Sequence, residues 1–151
     1  MVTRAPRAGV SLSFLPEVPL PPDLPWAAGN PAVAGAFARA AAAVDEAGRA
    51  ALPAPVRELV ARRLTVWRGE PPRLGRGWVE DAVAPLDAGD RPLAALALLT
   101  ALASYRVDRA VVEEFRARRP TDADLVGAAG WAAFSVARRV GSWLASAGAE
   151  A

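Results

Sequence analysis

The chain is expected to fold as an all-α domain of about six helices behind a proline-rich extended arm. Three features lead to that expectation. The first is an apolar fraction of 53%, much of it alanine, in 151 residues, which suits close helix packing. The second is apolar residues recurring at helical spacing, as in Val56, Leu59, Val60, Leu64 and Trp67, with no stretch of clean alternation. The third is punctuation of these stretches by capping residues and helix breakers. At this length one domain can bury a real core. A charged fraction of 23% argues against a disordered chain.

Residues 1–30 contain six prolines: Pro6, Pro16, Pro19, Pro21, Pro22 and Pro25. Proline fixes φ and removes a donor, so an extended arm is expected there. Phe14, Leu15, Val18, Leu20, Leu24 and Trp26 are too many large apolar groups for a free tail, so the arm should lie on the helical body or on a neighbouring subunit. The helical domain should occupy residues 31–148. Asn30 and Pro31 open the first helix, which should run to about Gly48. The second follows Pro53 and Pro55 and ends by Gly69-Glu70-Pro71-Pro72. A short third helix is expected from about Leu74 to Val83. Asp87 or Asp90 starts the fourth, whose run from Leu93 to Ala103 is apolar on every side and should be central. Asp108 caps a fifth helix ending near Arg118. Thr121 and Asp124 form a capping-box pattern that opens a long sixth helix to about Ala147.

The charged residues exclude several functions. All 18 basic residues are arginine, against 16 acids, and they are dispersed, so a nucleic-acid-binding stripe is not expected. The pairs Arg62-Arg63, Arg118-Arg119 and Arg138-Arg139 read as solvated or paired faces. With no cysteine and no histidine, disulfides, zinc-thiolate sites, histidine ligands and Ser-His-Asp catalysis are excluded. Absent lysine excludes a Schiff base and a phosphate-loop lysine. The segment Leu74-Gly75-Arg76-Gly77-Trp78 lacks the dinucleotide pattern and a preceding strand. No cofactor and no metal are expected. The acids Glu113, Glu114, Asp122 and Asp124 read as a solvated face and an N-cap. The longest apolar run is too short to cross a bilayer, and the prolines break any signal-peptide core, so no membrane partner and a cytoplasmic location are expected.

Two segments resemble the AhpD-like and carboxymuconolactone decarboxylase superfamily. They are RELVARRLTVWRGEPPR at 57–73 and the stretch from Leu86 to Leu144, which holds a capped apolar helix, a Val-Asp turn, another helix and an Asp-Ala-Asp-Leu helix start. The resemblance implies an all-helical fold. Peroxidases of that family carry a glutamate, a cysteine twelve positions later, a second cysteine three further on, and a histidine four beyond. On this chain those positions are Glu58, Glu70, Arg73 and Gly77. Thiol peroxidase chemistry needs an attacking thiolate and a resolving thiol, so that activity is not expected. Decarboxylase members rely in part on histidine, so that activity does not transfer either.

The resemblance makes Glu58 the candidate proton-transfer group, since burial beside the old site would tune its carboxyl for acid or base work. The alternative is an exposed pair with Arg62. Glu70 and Arg73 are candidate ligand-binding residues, presenting a carboxylate and a guanidinium to a polar ligand. Alternatively they form an ion pair that fills the vacated site, or a surface loop pair. Trp67 and Trp78 would line the pocket, whereas Trp67, Trp78, Trp131, Trp143, Tyr105 and Phe134 could equally serve core or subunit contacts. A pocket, where one survives, should lie where the second helix ends and the third begins, near Glu58, Glu70 and Arg73. The expected function is binding of a small organic ligand, or cofactor-free acid/base chemistry on one. The competing expectations are a non-catalytic oligomeric scaffold or partner-binding pseudoenzyme, and a subunit beside a redox-competent relative. Family precedent and surplus apolar surface make a homo-oligomer the expected assembly.

Overall fold

The computed structural model describes residues 15–148, with side chains in the last helix to residue 145. Among these residues six α-helices follow one another: α1 Pro31–Ala51, α2 Ala54–Val66, α3 Gly77–Val83, α4 Arg91–Leu102, α5 Arg109–Arg116 and α6 Asp122–Gly148. No strand occurs among the described residues.

The capping signals act largely as read. Asn30 Oδ1 accepts from the backbone N–H groups of Ala32 at 3.0 Å and Val33 at 3.3 Å, with Pro31 entering the first turn. Asp108 accepts from Val111 N at 3.1 Å. Thr121 Oγ1 accepts from Asp124 N at 3.1 Å and donates to the Asp124 carboxylate at 2.6 Å. Asp90, at the start of α4, makes no side-chain cap bond; the backbone bonds from Asp90 N and Arg91 N to Asp87 O lead into that helix instead.

α4 is the centre of the fold, as its all-round apolarity predicts. Leu93, Ala94, Leu96, Ala97, Leu98 and Leu99 are buried, and the helix packs against α2, α3, α5 and α6. Burial of each large aliphatic side chain contributes about 1.5–3 kcal/mol. Phe115 of α5 is fully enclosed in the same core.

α1 lies along α6, and small residues set their distance. A Cβ added at Gly127 would sit 3.0 Å from the Ala47 carbonyl oxygen. One added at Gly48 would sit 2.4 Å from Cγ and Cδ1 of Trp131. These contacts explain the glycines at the α1–α6 seam. Gly130 and Gly141, on the same helix, face open space.

The arm departs from expectation over its last residues. Pro25–Gly29 forms a 3₁₀ helix, because Pro25 in its first turn has the φ that such a turn requires and gives up an N–H that would be unpaired there. Before it, residues 16–20 run without regular structure. The described arm rests on the helical body: Leu24 and Ala27 are buried, Trp26 meets Phe37 edge-on at 4.8 Å, and Arg39 Nε donates to Leu15 O at 3.2 Å. Phe14 and Pro6 lie outside the described residues. α3 starts at Gly77, three residues later than the sequence suggests, since Leu74 to Arg76 are drawn into the preceding loop.

Candidate functional site

Residues 67–76 connect α2 to α3 and hold most of the candidate groups. Trp67 closes α2 and donates from its indole Nε1 to Glu70 O at 2.8 Å. Its ring meets Trp143 of α6 at 5.3 Å between centroids. Gly69, at φ +96°, makes the turn between Trp67 and Glu70, a backbone angle that side chains disfavour. The Glu70 carboxylate accepts from Arg68 N at 2.9 Å. That backbone bond holds its pKa below the ordinary value. Glu70 thus stabilises the turn as an ionised carboxylate.

The far end of the loop is tied to the segment after α4. Arg106 donates to Arg73 O at 2.7 Å and to Gly75 O at 2.8 Å. Arg76 donates to Arg106 O at 2.9 Å and pairs with Asp108. Asp108 is held below its usual pKa by the Arg76 hydrogen bond first, then by the Val111 N–H.

Two cavities border this loop. One, of about 270 Å³, lies between Arg63 and Trp67 of the α2 end, Glu70 and Arg73 of the loop, and Leu102. The other, of about 380 Å³, lies between Arg63, Arg73, Trp78 and Asp81. Arg63 and Arg73 therefore stand in both. Neither guanidinium has an ion pair or hydrogen bond among the described residues. Trp78 is buried, and its indole N–H has no acceptor among the described residues.

The structure thus brings Trp67, Glu70, Arg73 and Trp78 to one end of α2, and sets Glu58 apart. Glu58 is exposed on α2 and stands 3.8 Å from Arg62, one turn away. It borders a separate cavity of about 320 Å³ with Asp45, Arg49, Arg57 and Trp131. The cause is the length of α2: eight residues of helix separate Glu58 from its end at Val66, about 12 Å at 1.5 Å per residue. No ion pair joins Glu70 to Arg73.

Arg63 went unnoticed in the sequence because it reads as half of a charged pair with Arg62. Its signal is the spacing to Trp67: four residues along one helix place both on the same face. No group of three or more acidic side chains able to hold a metal occurs among the described residues. No helix there is long and apolar enough to cross a membrane.

No protein-family model matches the chain, and no solved structure matches it. The chain is 40% identical over 141 residues, 93% of its length, to an alkyl hydroperoxide reductase of Mycobacterium tuberculosis (strain ATCC 25618 / H37Rv). It spans about 40% of the length of that relative. This similarity and the all-helical fold agree with the resemblance to the AhpD-like superfamily.

Proposed function

Taking that resemblance as the premise, we propose that this chain belongs to the AhpD-like superfamily, binds a small organic ligand in the paired cavities at the end of α2 and performs no thiol redox chemistry. One observation supports the reading above others: Arg63 and Arg73 border both cavities with no counter-ion among the described residues. An unpaired guanidinium offers several donors in a plane and favours an anionic or strongly polar partner. Trp67 and Trp78 supply the aromatic walls. Glu70 shapes the loop through its bond to Arg68 N. The relative's name describes a hydroperoxide reductase. In these 151 residues the two thiol positions of family peroxidases are Glu70 and Arg73, and no cysteine or histidine exists.

The test is a thermal-shift screen with small organic acids, followed by affinity measurements on Arg73→Ala. A ligand that raises the melting temperature of the parent and loses affinity in the variant supports the reading. Unchanged affinity in Arg73→Ala with an intact fold overturns it. Catalytic consumption of cumene hydroperoxide by metal-free protein with a thiol reductant would overturn the non-redox part.

A cofactor-free acid/base step is the second reading. It rests on Glu58, and the cavity beside it, lined by Arg49, Arg57 and Trp131, favours it. Glu58→Gln would then abolish turnover while leaving the fold intact. Exposed Val66, Leu74, Val126 and Leu144 favour homo-oligomeric assembly, as a ligand-binding protein or as a non-catalytic scaffold; a monomer by light scattering at micromolar concentration argues against assembly. A cytoplasmic location belongs to the same proposal.

A further inference from the structure

We propose that a second ligand site lies between α2, α6 and the arm, and that it takes a small monocarboxylate with an apolar body, held by Arg139. A cavity of about 270 Å³ opens there between Asp23 of the arm, Ala61 and Leu64 of α2, and Trp131, Arg138 and Arg139 of α6. It is separate from the Arg63 and Arg73 cavities, and the proposal does not depend on them.

Two consecutive arginines enter this cavity in opposite circumstances. Arg138 is fully matched. Its Nε donates to Asp23 at 2.6 Å, a second nitrogen pairs with the other Asp23 oxygen, and Asp45 stands 3.5 Å away. Arg139 has no carboxylate within 4.0 Å among the described residues. Among the described residues its guanidinium makes one hydrogen bond, to Thr65 O at 3.1 Å, and its Nε, shut off from solvent, has no acceptor there. One face of the guanidinium lies 5.3 Å from the Trp143 ring centre. A half-buried guanidinium with one N–H cut off from water and no counter-ion is a group that a bound anion completes.

The rest of the cavity defines the anion. Asp23, its own acid, is occupied by Arg138 and repels a second negative charge, which favours a monoanion over a dianionic phosphate. Ala61, Leu64 and Trp131 form an apolar wall, which suits a carbon body rather than an inorganic ion. The carboxylate would meet Arg139, with the body against Trp131.

Benzoate is the probe, with benzyl alcohol as its uncharged counterpart. Calorimetry should show saturable one-site binding of benzoate by the full chain and weaker binding of the alcohol. In ¹H–¹⁵N spectra the Trp131 and Trp143 indole signals should move and that of Trp78 should stay. Arg139→Gln should weaken binding about ten-fold or more, while Arg73→Gln should leave it intact, so failure here and failure at the Arg73 site are separable. Ser135 also borders the cavity, and Ser135→Leu, which fills the space and keeps Arg139, should abolish binding even where Arg139→Gln fails to fold. The proposal is overturned by no saturable binding up to about 10 mM, by equal binding of the alcohol, by a response of Trp78 in place of Trp131, or by unchanged affinity in a folded Arg139→Gln or Ser135→Leu protein.

Discussion

The seam between α1 and α6 and the loop at 67–76 are held in opposite ways. At the seam, Gly48 lies against the Trp131 ring and Gly127 against the Ala47 carbonyl, with no room for a methyl group at Gly48. The loop is held by arginine-to-carbonyl bonds from Arg106 and by the Glu70 carboxylate on Arg68 N, all at exposed positions. Close steric contact has a steep cost for small displacements. Hydrogen bonds at the surface exchange with water at little net cost. The seam is therefore the part of this protein least able to change, and the loop is where a ligand site could be altered while the fold persists.

The largest expected effect tests the steric side of that contrast. Gly48→Ala should destabilise the protein by about 2–3 kcal/mol in urea denaturation, despite alanine's better helix propensity. A neutral result would show that Trp131 can move aside and that the seam is not tightly set. Next comes the ion pair that pins the arm beside the seam. Asp23→Asn should cost about 1–2 kcal/mol, since the Arg138 pair is only partly buried.

The same pair gives a pH dependence with a definite sign. The Arg138 hydrogen bond lowers the Asp23 pKa from its ordinary 3.8 and raises that of Arg138. A carboxyl whose folded pKa is depressed contributes stability above its unfolded pKa. That contribution is lost as pH falls through the folded value. Stability of the parent should thus fall below about pH 4, and the Asp23→Asn protein should lack this part of the fall.

The polar side of the contrast predicts a smaller cost. Arg106→Ala removes two carbonyl bonds from the loop and should cost about 1 kcal/mol or less, with faster amide exchange confined to residues 67–76. A global loss of cooperativity would mean that the loop is integral to the core. The smallest effect has the opposite sign. Gly130→Ala, on α6 but facing open space, should stabilise by about 0.5–1 kcal/mol. Destabilisation there would show that the whole helix face, and not two positions on it, requires glycine.

Much of the fold was legible because its signals are local. Asn30, Asp108 and Thr121 bond to N–H groups within three residues of themselves, so sequence spacing nearly determines their geometry. The apolar circumference of α4 required burial wherever the helix lay. The start of α3 was misplaced because Leu74 is 96% exposed, and an apolar residue in a loop resembles the first turn of a helix. The 3₁₀ turn at Pro25 was missed because proline density alone suggested extended chain.

The candidate site was legible only in part. The family resemblance singled out Glu70 and Arg73, with Trp67 and Trp78 as pocket walls, and the four lie around the two cavities at the end of α2. It could not show that Glu58 borders a different cavity, since that depends on how far α2 runs before it ends. Nor could it separate Arg138 from Arg139. The two are neighbours of one residue type, and the partner that distinguishes them, Asp23, lies 115 residues away along the chain.

The sequence by itself determined that this chain is helical, where most helices begin, and that thiol, imidazole and lysine chemistry are absent, because composition and short-range hydrogen bonding require no knowledge of the fold. Tertiary structure alone decided which arginines have counter-ions, which glycines admit a neighbour and which carboxylates share a cavity. Those properties depend on distances between segments remote in the chain, and charge and steric terms change sharply over the few ångströms that packing sets.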